Sequence, residues 1–271
     1  MSSDNDNNNV NSTINAVTGL AEAVPVYEDA IQPAAKEIGK ALGTLAKTVN
    51  VALAPVSALV WGYDKIKDFV DHKVSAKLEN TPAENIVTPP AHVVGPALES
   101  LRYTGSIEEL RDLYANLVAA SMDSRTTENA HPSFVEIIKQ LSTEEAKLLS
   151  QLQEIGSEPL VTIRNNRADG SGGQDQFRHF SLLGDRAGID SNKLPNHFDN
   201  LTRLGLIEIP ENYVLIGEVY KELEEHPFTK AVIDYVDALP ERKSRIDRKT
   251  LIVTSLGRQF IDTCVKEHNV D

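Results

Sequence analysis

Residues 106–123, SIEELRDLYANLVAASMD, and residues 131–149, HPSFVEIIKQLSTEEAKLL, decide the fold class. Ser106 with Glu109, Ser133 with Glu136 and Ser142 with Glu145 each have the Ser-x-x-Glu spacing of a capping box. In that motif the serine accepts from an orphan N–H of the first turn while the glutamate reaches back to the cap. Apolar residues follow at helical spacing: Ile107/Leu110/Tyr114/Leu117/Val118, Phe134/Ile137/Ile138/Leu141, then Ala146/Leu149/Leu152. Three starts and three stripes predict a helical hub over Pro96–Leu152. His131, before Pro132, is expected to be a packed or capping residue rather than a ligand.

N-terminal to this hub, residues 1–12 read as a disordered Asn/Asp/Ser leader, without the charged and apolar parts of a secretory signal. From Pro33 to about Leu53 the pattern is helical, with Ile38, Ala41, Leu42, Leu45 and Val49 on one face. Thr48–Tyr63 is a run of 16 residues without a charge, broken by Pro55. It is shorter than the ~20 apolar residues of a membrane span. Burial in a core is the ordinary explanation of such a run. The sharper one is a segment that meets membrane or a partner protein, carried by Leu42, Leu45, Val49, Leu53, Val56, Leu59, Val60 and Trp61. A clearer amphipathic helix covers Asp64–Leu78, with Ile66, Phe69, Val70, Val74 and Leu78 as its stripe. Thr88-Pro89-Pro90 then makes an extended link.

C-terminal to the hub the pattern changes. Pro159–Ile163 predicts a strand, Asn165–Gln176 a glycine-bearing tip, Phe180–Ile189 and Ser191–Leu204 two helices, and Leu206–Pro210 a strand. With the helix over 142–154 this is the element order of a winged helix-turn-helix. Val219–Leu239 predicts a helical insertion before a return strand at Thr250–Thr254. A last helix, Leu256 to about Lys266, is expected to turn Leu256, Phe260, Cys264 and Val265 inward. The expected fold is mainly α, with an N-terminal multi-helix region over 13–141. An α+β winged-helix-like domain with a helical insertion in its wing follows over 142–271.

Composition bounds the chemistry. The chain has 271 residues, 25% of them charged, and a formal net charge of −13, which disfavours nucleic acid and anionic lipid at long range. One cysteine excludes an internal disulfide, and the seven histidines lack metal-ligand spacing. Neighbouring acids such as Glu108/Glu109 and Glu144/Glu145 do not share a helix face, so they make poor acid–base pairs. Gly170, Gly172 and Gly173 lack the Lys-Ser/Thr of a phosphate loop. No enzyme, cofactor or metal is expected. The candidate contacts for nucleic acid or a protein partner are Lys193, Asn196, Asn200 and Arg203 on the second helix of the pair. Arg242, Lys243 and Arg245 join them from a basic run placed where a wing loop lies.

Gly95-Pro96-Ala97-Leu98 and the two opening stretches, with LTRLGLIEI (201–209) and LIVTSLGRQF (251–260), resemble the bacterial abortive-infection alpha family. The likeness runs over about residues 30–265. It implies a role in anti-phage defence and supplies no catalytic residues; a phage or host protein is expected as the trigger. The resulting expectation is a non-enzymatic cytoplasmic protein, peripheral to the inner membrane when its apolar helices engage it. A winged-helix nucleic-acid regulator and a structural homo-oligomer packed through the apolar helices are the alternatives.

Overall fold

The computed structural model describes residues 37–41, 43 and 62–268. The chain divides into two compact units: residues up to Leu141 together with those from Thr263 onward, and Ser142–Asp262. The described residues are mainly helical, with a small four-stranded antiparallel sheet. Residues 37–41 and 43 are helical. Leu42, Leu45, Val49, Leu53, Val56, Leu59, Val60 and Trp61 lie outside the described residues.

The first unit begins its continuous part with α1, residues 63–77. It is α-helical over Tyr63–Asp68 and Ser75–Lys77, with a π-turn over Phe69–Val74 between them. Its stripe of Ile66, Phe69, Val70 and Val74, continued by Leu78 just beyond it, is buried, as the spacing predicts. Pro90, in extended conformation, leads into α2 (Ala91–Thr104). Helices α3 (Glu108–Ser121) and α4 (Ser133–Ile138) complete the unit's core with Leu113, Tyr114, Leu117, Phe134 and Ile138.

Two of the three expected capping boxes do not form. α3 starts with Ile107 as its cap, so Ser106 stands one position too early for the motif. In α4 the cap position is Pro132, and the His131 ring does the capping: its Nδ1 accepts from the Ser133 N–H at 3.1 Å. The third box is complete. Ser142 Oγ accepts from Glu145 N, and Ser142 N donates to Glu145 Oε2 at 2.8 Å, opening α5 (Thr143–Gln151).

The chain from Thr263 closes this unit. Buried Asn116 donates from Nδ2 to Cys264 O at 2.9 Å, and Lys77 pairs with Glu267 at 2.7 Å. His268 Nε2 lies 3.4 Å from Oδ2 of the fully buried Asp123 carboxylate, which Arg125 grips from Nε (3.0 Å to Oδ1) and Nη2 (2.7 Å to Oδ2). Burial pushes the Asp123 pKa up, but the Arg125 hydrogen bonds and charge outweigh it, so the carboxyl sits below its usual value. Cys264 is wholly buried. Desolvation raises its thiol well above the ordinary range, as befits a core residue rather than a nucleophile.

The second unit holds the sheet: β1 (Ser157–Arg167), β2 (Gly173–Phe180), β3 (Ile207–Glu208) and β4 (Arg242–Val253), in the order β2-β1-β4-β3. Between β2 and β3 stand α6 (Leu183–Ala187) and α7 (Leu194–Arg203). Between β3 and β4 stand α8 (Lys221–Glu225) and α9 (Pro227–Asp237), separated at His226, where Pro227 takes the first helical position and His226 Nδ1 accepts from Phe228 N. The insertion packs a core of Val161, Ile163, Phe180, Tyr220 and Leu223, with Phe228, Val232 and Ile246 against it.

The strands differ from the sequence expectation at their ends. β1 runs on to Arg167, and the expected glycine tip shrinks because Gly173–Phe180 pairs back on β1. The basic run is not a wing loop: Arg242–Lys249 is the outer half of β4, paired residue by residue with β1 from Arg167↔Arg242 to Leu160↔Lys249. Ile246 is its single apolar residue. The period-2 signal of a strand is therefore absent from that stretch, and the ladder with β1 imposes the structure. β4 leads into α10 (Ser255–Phe260), continued by a π-turn over Ile261–Val265. Phe260, Cys264 and Val265 are buried as expected, whereas Leu256 in the first turn is 38% exposed. Gly257 sits against β3: a Cβ there would lie 1.9 Å from Leu206 O.

Candidate interaction site

α7 is positioned by Leu194, Phe198 and Leu201, all buried. That burial fixes which way its polar residues point. Lys193 and Asn196 are exposed at its start. Asn200 is not free to read a base edge: its Nδ2 donates to Glu145 Oε2 at 2.9 Å. His197 Nδ1 lies 3.4 Å from Glu145 Oε1, so the buried carboxylate of the α5 capping box also clamps α7. Arg203 folds back on the same residue, donating from Nη2 and Nε to Asn200 Oδ1 at 2.7 and 3.1 Å. On another side of α7, Asp199 pairs with Arg178 of β2 at 2.8 Å.

The β4 cations are similarly engaged. Arg245 donates to both oxygens of Asp247 at 2.7 and 2.9 Å, which raises its pKa. Arg248 donates to Glu224 at 2.6 Å and lies over the Tyr220 ring. Lys249 pairs with Glu211, whose carboxyl this hydrogen bond and charge lower. The register also sets Arg164 opposite Arg245 and Arg167 opposite Arg242. Like charges directly opposite repel. Around the first pair, Asp175 and Asp247 supply the counter-charge, at 3.0 and 4.0 Å from Arg164. Arg242 and Lys243 lie at the far end of the ladder, beside Arg167 and Asn166.

The predicted contacts therefore form two groups. Lys193, Asn196, Asn200 and Arg203 lie along α7, where Asn200 is bonded to Glu145 of α5, while Arg242, Lys243 and Arg245 lie on the β1–β4 ladder, two strands in from β2, the neighbour of α7.

One residue escaped the sequence reading. His179 adopts φ 59°, in the left-handed region, at a bulge where the β1–β2 register slips between Val161↔Phe180 and Ile163↔Phe177. Its N–H donates to Thr162 Oγ1 at 3.3 Å, and its Nδ1 is buried with no hydrogen-bond partner. Burial, then the Arg178 charge, lowers its pKa. Nothing in a single sequence marks a bulge. Among the described residues no three His, Cys, Asp or Glu groups are placed to hold a metal ion. No described helix is long and apolar enough to cross a membrane.

These features define a mainly helical two-unit protein whose polar surface is organised by ion pairs. The chain belongs to the abortive infection alpha family, whose pattern matches residues 62–264. No curated protein matches the chain. A solved structure of an uncharacterized protein from the hydrocarbon-degrading marine bacterium Alcanivorax borkumensis SK2 is similar at 21% identity, over 53% of this chain and 96% of that one, with a TM-score of 0.33.

Proposed function

We propose that this chain is an anti-phage protein of abortive-infection type that works by binding rather than by catalysing a reaction, with residues 142–262 as a winged-helix-like module that recognises a protein cue. Family membership supports the defence role. The order α5, β1, α6, α7, β3, β4, with β4 between β1 and β3, supports the winged-helix reading; β2 is an added edge strand and α8–α9 an insertion before the return strand. The observation that carries protein over nucleic acid is the Asn200–Glu145 hydrogen bond. It turns the central polar residue of the would-be reading helix inward, while Arg245, Arg248 and Lys249 already hold carboxylates. A phosphate backbone would have to displace those partners in a chain of net charge −13.

In this reading the charge-poor segment over residues 41–63 is the effector, released towards the inner membrane or a partner protein in the cytoplasm when the module is engaged. Its support is the uncharged run Thr48–Tyr63. Plaque counts on cells expressing the chain test the defence role, and wild-type plating efficiency would remove it. A mobility-shift titration at low salt tests the module. Salt-sensitive duplex binding that weakens in an Arg242→Ala/Lys243→Ala/Arg245→Ala variant would replace the protein cue with nucleic acid. Dye leakage from liposomes and fractionation during infection test the effector. Absence of membrane association in every condition leaves a partner protein as its target.

A further inference from the structure

Between β3 and α8 the chain reads NYVLIGEV over residues 212–219. Leu215 is anchored: it packs on the Val161/Ile163/Tyr220 core, and its N–H donates to the Tyr220 hydroxyl at 3.0 Å, which itself donates to Lys249 O. The residues beside that anchor are left outside. Tyr213 is 48% exposed, Val214 52%, Val219 45%, and Ile216 98%. Gly217, at φ 102°, makes the turn that holds Ile216 away from the sheet, a conformation L-residues rarely adopt. Isolated apolar side chains on a surface are ordinary. Four within seven consecutive positions, on a loop pinned at its middle, form a patch of the kind that marks a contact site.

The surrounding charge selects the occupant. Glu218, Glu222 and Glu225 are exposed beside the patch against one exposed cation, Lys221, while Arg248 and Lys249 are paired with Glu224 and Glu211, so the rim stays acidic. A second copy meeting the loop through a two-fold axis would set these carboxylates against themselves, and an anionic lipid surface would repel them. Apolar contact and charge are satisfied together by a segment with an apolar face and lysine or arginine at its edges. We propose that the Tyr213–Val219 loop docks such a cationic, apolar-faced segment of a partner protein. This deepens, and rests on, the reading of residues 142–262 as a protein-recognition module.

The test uses the full chain and a fluorescein-labelled amphipathic Leu/Lys helical peptide as probe, with its Leu/Glu counterpart and phosphatidylglycerol vesicles alongside. Ile216→Ser and Ile216→Asn change a side chain that touches almost nothing and add no charge, so their melting temperatures should match the parent. Both should weaken Leu/Lys binding by about tenfold or more, as should Glu218→Lys/Glu222→Lys, and the Leu/Glu peptide should not bind. Unchanged affinity in the Ile216 variants overturns the inference, as does a preference for the Leu/Glu peptide. Ile216-dependent vesicle sedimentation would assign the loop to lipid, and Ile216-dependent self-association in light scattering to a second copy; either result overturns it. Plaque assays separate the two levels. Protection by the parent that survives in Ile216→Asn removes the docking loop alone, whereas absence of protection by the parent removes the defence reading itself.

Discussion

Asn200 and Glu145 are hydrogen-bonded at 2.9 Å, and through that bond the carboxylate that caps α5 also fixes α7. Glu145 → Ala removes the acceptor of Ser142 N, the partner of Asn200 Nδ2 and the charge facing His197 at once. Urea titration should show a loss of about 2–3 kcal/mol, because the orphaned donors lie in a partly buried setting. Asn200→Ala alone should cost about 1 kcal/mol. The double variant should fall short of the sum by about 1 kcal/mol. Additive losses would mean that the contact carries no coupling.

The Asp123–His268 contact predicts stability that falls with acid in two windows. Burial, opposed by the Asp123 charge, places the His268 pKa below its ordinary 6.5 in the fold. The unfolded chain then takes up that proton first, so stability is full above 6.5 and declines as pH drops through it. Asp123, held below 3.8 by Arg125 against the cost of burial, contributes above 3.8 and loses that contribution as pH falls to its folded value. Arg125 and Lys77 also act on His268, and both lower its pKa. The urea midpoint should drop between pH 7 and 5 and again below 4. His268→Gln should flatten the first step, and Asp123→Asn the second.

Gly257 and Gly156 should respond in opposite ways to the same added methyl. A Cβ on Gly257 meets Leu206 O at 1.9 Å, a backbone atom that cannot rotate aside, whereas on Gly156 its nearest neighbour is Arg258 Nη2 at 3.9 Å. Gly257→Ala should cost about 3 kcal/mol as the start of α10 is forced off β3. Gly156→Ala should stay within about 0.5 kcal/mol of the parent. Calorimetric melting of the two variants checks both values.

What could be read from the residues follows from where the signal lives. The stripe Ile66/Phe69/Val70/Val74/Leu78 was legible because burial writes itself into helical spacing, and the family likeness through contiguous stretches such as 106–123 and 131–149, which lie within the matched residues 62–264. The Ser142 box was legible too, but Ser106 and Ser133 carry the same spacing without the cap. A four-residue motif does not say which residue begins the helix. The outer half of β4 was hidden because its residues are chosen by partners on other elements: β1 supplies the ladder, and Glu224 and Glu211 hold Arg248 and Lys249. The interaction residues were half visible. Lys193, Asn196, Asn200 and Arg203 do lie along α7, yet only the fold reveals that Asn200 faces Glu145. Leu215 and Ile216 are equally apolar neighbours, and nothing in the sequence says which is anchored and which is exposed.

The first unit is discontinuous, and this imposes an order on biosynthesis. α2, α3 and α4 leave the ribosome long before Cys264 and His268, their partners through Asn116 and Asp123. At about 5–20 residues per second, translating the intervening Ser142–Asp262 takes about 6–24 s. Throughout that interval the nascent helical unit lacks the contacts that Cys264 and His268 bring to it. The unit that begins the described chain is thus the last to be completed.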